Sequence, residues 1–219
     1  MIREIYAVYG ASGYGREVMP LVRQQYAQND SNSQLFVFID DNPTLNEVNS
    51  HKVYSYSEFL KLDVNRKNVA VAIANDEVRE KLSIQCVEDG IHLLDVTASN
   101  VINMDDVSID KGYILSPFVT LTSNIKIGKS FHANIYSYVA HDCVIGDYVT
   151  FAPGVKCNGN VHIEDHAYIG TGAILKQGTP NKPLVIGARA IIGMGAVVTK
   201  DVPPNTTVVG NPAKPFNKK

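Results

Sequence analysis

IKIGKSFHANIYSYVAHDCVIGDYVTFAPGVKC, residues 125–157, decides the fold. From Ile127 every sixth residue of it is apolar: Ala133, Val139, Ile145, Phe151 and Cys157. Followed outward, the ladder starts at Ile109, passes Leu115 and Leu121, and ends with Ile163, Ile169 and Leu175, which makes twelve consecutive apolar positions. In a chain that is 45% apolar, such a run arises by chance at about 10⁻⁴, and below roughly one in a thousand over all six phases, so it marks a true internal repeat. Neither a helix nor a simple strand has a period of six.

Positions two before the ladder are mostly apolar or small as well, among them Val119, Ile125, Phe131, Cys143, Val149, Val155 and Val161. Glycine or an acid often follows the inward residue, as in Gly128, Gly146, Glu164 and Gly170. The register breaks once. After Leu175 the next inward residue is Ile186, with Ile192 and Val198 in step, so five residues are in excess. Gln177 to Pro183, with its glycine and prolines, is the expected extrusion, and a loop there is placed to line a site.

Upstream of Thr97 the pattern is different. Ile5 to Tyr9 reads as a strand that enters the turn Gly10-Ala11-Ser12-Gly13-Tyr14-Gly15, then a helix with Val18, Val22 and Tyr26 on one face, kinked at Pro20. Leu35 to Ile39 and Val69 to Ala74 read as further strands, with a loop and a short helix capped by Ser57 between them. Asn75 caps a helix that stops at Gly90, and Ile91 to Leu94 returns as a strand. Such alternation predicts a parallel α/β sheet.

A glycine-rich turn leading into a helix presents free N–H groups and a positive dipole to phosphate, although Gly10, Gly13 and Gly15 do not have the dinucleotide spacing. Asp40 and Asp41 follow the second strand, where a carboxylate can accept from a ribose or base. The same turn also suits a simple strand-to-helix junction.

The other bulk properties exclude more than they select. Twenty Lys+Arg against 22 Asp+Glu give a formal net charge of −2, which leaves no basic footprint for nucleic acid. Three cysteines without metal-ligand spacing fit a reducing, cytoplasmic setting and predict no metal site. No run approaches the ~18 apolar residues of a membrane span, so no membrane insertion is expected.

In the repeat, His141 stands two residues after an inward valine, with Asp142 beside it. Imidazole is the side chain tuned to take a proton near neutral pH, and a neighbouring carboxylate can fix its tautomer. Adjacent strand residues point to opposite faces, but at a corner that objection weakens. The alternative is a solvated histidine, one of six.

The hexad pattern over roughly 101–210 resembles the left-handed parallel β-helix of hexapeptide acyltransferases. The whole chain resembles the sialic-acid and bacillosamine type of sugar acetyltransferase, in which a Rossmann-like α/β domain precedes the all-β prism. This implies a nucleotide-sugar-binding domain over 1–96, a β-helix over 97–209 and a CoA-contacting tail over 210–219. In that family a His-Asp or His-Glu pair precedes Cys-Val-Ile-Gly, which here maps onto His141-Asp142 as base and orienting acid. Gly159, within Gly154 to Val161, then becomes the oxyanion donor to the thioester, or else a tight β-corner. Lys214, in Val209-Gly210-Asn211-Pro212-Ala213-Lys214, becomes a contact to a CoA phosphate, or else surface charge.

The resemblance also implies substrate contacts from Gly10, Ser12, Gly13, Tyr14, Gly15, Asp40 and Asp41. Thr150 and Tyr14 depart from it, each standing where relatives of this type carry histidine. The expected reaction is acetyl transfer from acetyl-CoA to the 4-amino group of a UDP-linked amino-deoxysugar, by a homotrimer. O-acetylation of a sialic-acid-like sugar and a non-catalytic trimeric scaffold remain open.

Overall fold

The computed structural model describes residues 4–28, 34–42 and 44–216. Contacts divide the chain into two compact units, 1–97 and 98–219.

The first unit is built around β1 (Glu4–Tyr9), which pairs in parallel with β2 (Gln34–Ile39) on one side and β5 (Arg66–Val71) on the other. Ala7 lies opposite both Val37 and Val69. All residues of β1 after Glu4 are buried, which is why it reads as a continuous apolar run and not as an alternation. Helix α1 (Gly13–Tyr26) buries Val18, Met19, Leu21 and Val22 and runs through Pro20 as one helix. Helix α3 (Asp76–Glu88) is capped as its sequence predicts: Asn75 Oδ1 accepts from the Val78 N–H at 2.9 Å, and Gly90 ends it at φ +73°. Strand β6 (His92–Leu93) closes the sheet beside β5.

Two local readings are corrected. The segment after Asp41, expected to be a loop, contains a hairpin of β3 (Glu47–Val48) and β4 (His51–Tyr54), and β4 pairs in parallel with β2. Its two-residue turn, Asn49-Ser50, has φ of 48° and 62°; without the usual Asn-Gly dipeptide it gave no turn signal. Helix α2 (Tyr56–Leu60) is capped by Ser55 and not by Ser57. A capping box closes it, in which Ser55 accepts from the Glu58 N–H while Glu58 accepts from the Ser55 N–H.

The second unit is a triangular prism of strands two or three residues long. Register runs in steps of eighteen residues, three hexads to a coil: Leu121 lies beside Val139, Val139 beside Cys157, and Cys157 beside Leu175. From Leu115 to Leu175 every ladder residue is buried, and so are Ile186, Ile192 and Val198. Only Ile109, in the first coil, is half-buried.

Each corner is turned by one residue in the left-handed region, and these too recur every six: Asn124 (φ 58°), Ser130, Tyr136, Asp142 (φ 58°), Tyr148, Gly154, Asn160 and His166. Sustaining that conformation in non-glycine residues has a steric cost, which the ladder's burial offsets at about 1.5–3 kcal/mol per fully buried large aliphatic side chain.

The break in register is where the sequence places it. Ile163 pairs with Ile186 and Leu175 with Val198, twenty-three residues apart instead of eighteen. The excess forms a small hairpin joined by the Thr179–Lys182 bridge. The C-terminal segment folds back on the prism: Thr207–Val209 pairs antiparallel with Lys214–Pro215, and the Ala213 N–H donates to Val197 O at 2.9 Å.

Candidate active site on the prism edge

His141 and Asp142 follow the strand Tyr138–Val139, and Asp142 is the corner residue. The left-handed backbone there cancels the strand alternation, so both side chains turn to the same side. His141 Nδ1 lies 2.7 Å from Asp142 Oδ2, with the two side chains 48% and 45% exposed. An ionised carboxylate only accepts, so Nδ1 carries the proton and Nε2 keeps its lone pair. The hydrogen bond from His141, with a second from Asn124, holds the Asp142 carboxyl below the usual carboxylate range.

That second bond was not foreseen. Asn124 occupies the same corner one coil earlier, and its Nδ2 donates to Asp142 Oδ1 at 3.2 Å. The signal was present in the sequence: Asn124, Asp142 and Asn160 are spaced by eighteen residues, one full coil. Backbone bonds fix the pair between coils, from Asp142 N–H to Ser123 O (3.0 Å) and from Asn160 N–H to His141 O (2.9 Å).

Gly159 lies directly beneath the imidazole. A Cβ built there would sit 2.5 Å from His141 Cε1 and 2.6 Å from Nε2. The turn does not require this glycine, because the left-handed corner residue is its neighbour Asn160 (φ 57°). The ring requires it. Gly159 is buried, and its N–H donates to no group among the described residues. Buried backbone N–H groups are rarely left without an acceptor, so this one is available to a ligand carbonyl. Cys143 and Cys157 fill the core behind the pair as free thiols, with sulfurs 4.0 Å apart.

In the first unit the glycine turn lies at the carboxyl ends of β1 and β2. Gly10 (φ +103°) sits against Ile73 and Ala72, and Gly15 packs so closely on Gly10 O that no Cβ fits. Ser12 caps α1 in extended conformation without a side-chain bond, and the first turn holds no acid, so the positive end of the helix dipole faces exposed Ser12 and Gly13 without a carboxylate from its own first turn. Tyr14 is half-buried with its hydroxyl enclosed, and burial raises its pKa.

Asp40 and Asp41, expected as ligand contacts, are used by the protein itself. Asp40 accepts from the Ala11 N–H (2.9 Å) and the Asn42 N–H (3.0 Å). Asp41 accepts from the Tyr9 hydroxyl (3.0 Å) and the Tyr56 N–H (2.9 Å). Both clasp the turn to its neighbours and leave only residual lone pairs for a ligand. Beside them a cavity of about 530 Å³ is lined by Asp40, Asn42, Lys52, Tyr54 and Lys61.

Lys214 is exposed, paired across from Val209, and no contact joins it to His141 among the described residues. Thr150 is buried in the strand Thr150–Phe151, beside His132 and Tyr168. No helix among the described residues is long and apolar enough to cross a membrane.

Known proteins of the same build exist. Residues 6–86 match the family described as PglD N-terminal domain, and residues 124–159 match the bacterial transferase hexapeptide (six repeats). A GDP-perosamine N-acetyltransferase from Escherichia coli O157:H7 is 52% identical over 214 residues, 98% of this chain and 97% of its own length. WeeI from Acinetobacter baumannii AYE superposes with a TM-score of 0.94 at 60% identity, over 97% of this chain and 100% of that one. The acetyltransferase domain of PglB from Neisseria gonorrhoeae FA1090, solved in complex with acetyl coenzyme A, superposes with a TM-score of 0.85 at 27% identity, over 99% and 100% of the two chains. The chain is an acyltransferase, and it belongs to the family of sugar N-acetyltransferases that join a PglD-type N-terminal domain to a hexapeptide-repeat prism.

Proposed function

We propose that this enzyme transfers the acetyl group of acetyl-CoA to the amino group of a GDP-linked 4-amino-deoxysugar of the perosamine type. The carrier expected from sequence is UDP, and relatives named for UDP-N-acetylglucosamine match at most 50% of this chain, whereas the 52% identical enzyme, which matches 98% of it, is named for GDP-perosamine. The observation that carries the reading is the imidazole of His141, held by Asp142 at 2.7 Å over the unpartnered N–H of Gly159. A base and an oxyanion donor on one edge are what direct acyl transfer needs.

In this reading the sugar amine attacks the thioester carbonyl and forms the new C–N bond. His141 Nε2 takes the amine proton, and the Gly159 N–H donates to the carbonyl oxygen as negative charge develops there. Collapse breaks the C–S bond, and the proton held on His141 goes to the departing thiolate. Asp142 keeps the ring in the tautomer that exposes Nε2. The first turn of α1, with Ser12, Gly13 and Gly15, receives the diphosphate of the nucleotide. The active form is a homotrimer, in line with the exposed Phe118 and Tyr136 rings on another edge of the prism, and its setting is the cytoplasm, in line with three free thiols.

The test is release of free CoA with GDP-perosamine, UDP-linked 4-amino sugars and a sialic-acid-like sugar offered in turn. Turnover with the GDP amino sugar supports the reading. Faster turnover with a UDP sugar reinstates the other carrier, transfer to a hydroxyl reassigns the acceptor, and no turnover with any of them leaves a scaffold.

A further inference from the structure

Cys143 and Cys157 are buried thiols that the reaction above does not use. Cys143 stands two residues after His141, and Cys157 two residues before Gly159. Their sulfurs meet around one atom, the main-chain carbonyl oxygen of Asn158. Cys143 Sγ lies 3.3 Å from it and Cys157 Sγ 3.8 Å. No backbone N–H among the described residues reaches that oxygen. The Cys143 thiol is its nearest donor, and the other acceptors open to this thiol, His141 O at 3.7 Å and Cys157 Sγ at 4.0 Å, are farther off.

The Asn158 carbonyl belongs to the same peptide as the Gly159 N–H. In a trans peptide C=O and N–H point in opposite directions, so a carbonyl held against the thiols turns the N–H away from them. Gly159 cannot fix that plane itself, because glycine is conformationally permissive and the ring above it leaves no room for a Cβ. The Asn158 side chain is tied as well: Oδ1 accepts from the Tyr138 hydroxyl at 2.8 Å, and Nδ2 donates to Leu175 O at 2.7 Å. Tyr138 and Leu175 stand in the coils on either side of it. A thiol is a weak donor, but an oxyanion donor needs to be fixed before charge develops, and three coils fix this one.

We propose that Cys143 and Asn158 are positioning residues of the acyl transfer: the thiol on the Asn158 carbonyl and the tethered Asn158 side chain hold the peptide plane that aims the Gly159 N–H at the thioester oxygen. The proposal rests on the acetyl-transfer reading above. Cys143→Ala, Cys143→Ser and Tyr138→Phe in the full chain test it, by steady-state kinetics with acetyl-CoA and the amino sugar. The second readout is the infrared carbonyl stretch of acetyl-CoA, labelled with carbon-13 at the thioester carbon and bound without the sugar. Thermal melting checks folding. If the alanine variant does not fold, Tyr138→Phe, which keeps the ring and removes only the bond to Asn158 Oδ1, carries the same test.

A donor on the carbonyl lowers its stretching frequency, so the parent should show the bound band below that of free acetyl-CoA. Cys143→Ala should return the band towards the free position and lower kcat by about tenfold, short of the loss of about 10²–10³-fold for a whole oxyanion donor. The KM for acetyl-CoA and the midpoint of the pH–rate profile should stay in place. Cys143→Ser, which keeps a donor, should recover most of both losses, and Tyr138→Phe should move both in the direction of the alanine variant by less. A folded Cys143→Ala with parental kcat and band would overturn the proposal, as would a loss that serine does not recover or that moves KM and the pH midpoint with it. A parent that binds acetyl-CoA with no shift of the band would remove Gly159 as the donor and the proposal with it. A parent that transfers acetyl to none of the sugars would overturn the acetyl-transfer reading itself.

Discussion

His141 has four neighbours that define it: the Asp142 carboxylate at Nδ1, the peptide of Asn160 at its carbonyl, Asn124 behind the acid, and Gly159 under the ring. Removing the base should lower kcat by about 10²–10⁴-fold in His141→Ala, and the rising limb of the pH–rate profile should vanish with it. A folded His141→Ala that keeps a third of parental kcat would leave the base unassigned. Gly159→Ala offers a separate reading of the same site, because the added methyl overlaps the ring and must push it off its place. Its kcat should fall by a factor of at least ten with the fold intact, as about 1 Å of displacement is enough for losses of that order. Since His141 and Asp142 bond at the edge, in the surroundings that hold the Asp142 carboxyl low, the pair should stay aligned well below neutral pH.

At the scale of elements, the sequence is legible where the physics is periodic and opaque where it is local. Six-residue periodicity specified the prism down to the five-residue excess, because each inward position is buried independently of its neighbours in the chain. The hairpin Glu47–Tyr54 was hidden because Asn49 and Ser50 adopt positive φ without glycine. Asp40 and Asp41 looked like ligand contacts because acids at the carboxyl ends of strands often are, yet here they bind turn amides and the Tyr9 hydroxyl.

That clasp has a testable pH signature. Burial first, and then the Asp41 bond and charge, raise the Tyr9 phenol above its ordinary value. A raised folded pKa gives stability that is complete below the unfolded value of about 10 and is lost as pH rises through the folded one. The contribution of Tyr9 should therefore be constant below about pH 10 and be lost above it, so the alkaline fall of the melting temperature above that pH should be shallower in Tyr9→Phe. At neutral pH Asp41→Ala, which strands the Tyr9 hydroxyl and the Tyr56 N–H, should cost about 1–3 kcal/mol by denaturant titration.

At the scale of the molecule, the prism leaves one edge apolar where solvent would favour polar corners. Phe118 and Tyr136 are 52% and 62% exposed, turn left-handed corners one coil apart, and stack with centroids 4.8 Å apart at 2°. Their row continues through Gly154 and Gly172 to Gly195, each corner N–H bonded to the coil before, and next to it Met194 is 82% exposed. Large side chains held rigidly in left-handed backbone and left in water are costly twice over, in strain and in hydration, unless another surface covers them. A cyclic trimer covers such an edge three times with one contact, and closes without leaving a free copy of it. Light scattering should then give a mass three times that of the 23.9 kDa chain at micromolar concentration. Tyr136→Arg should shift the protein towards monomer. If the site needs the assembled trimer, activity should fall in step with the trimer fraction while the melting profile of the first unit stays in place. A parent that runs as a monomer at full specific activity would refute the assembly.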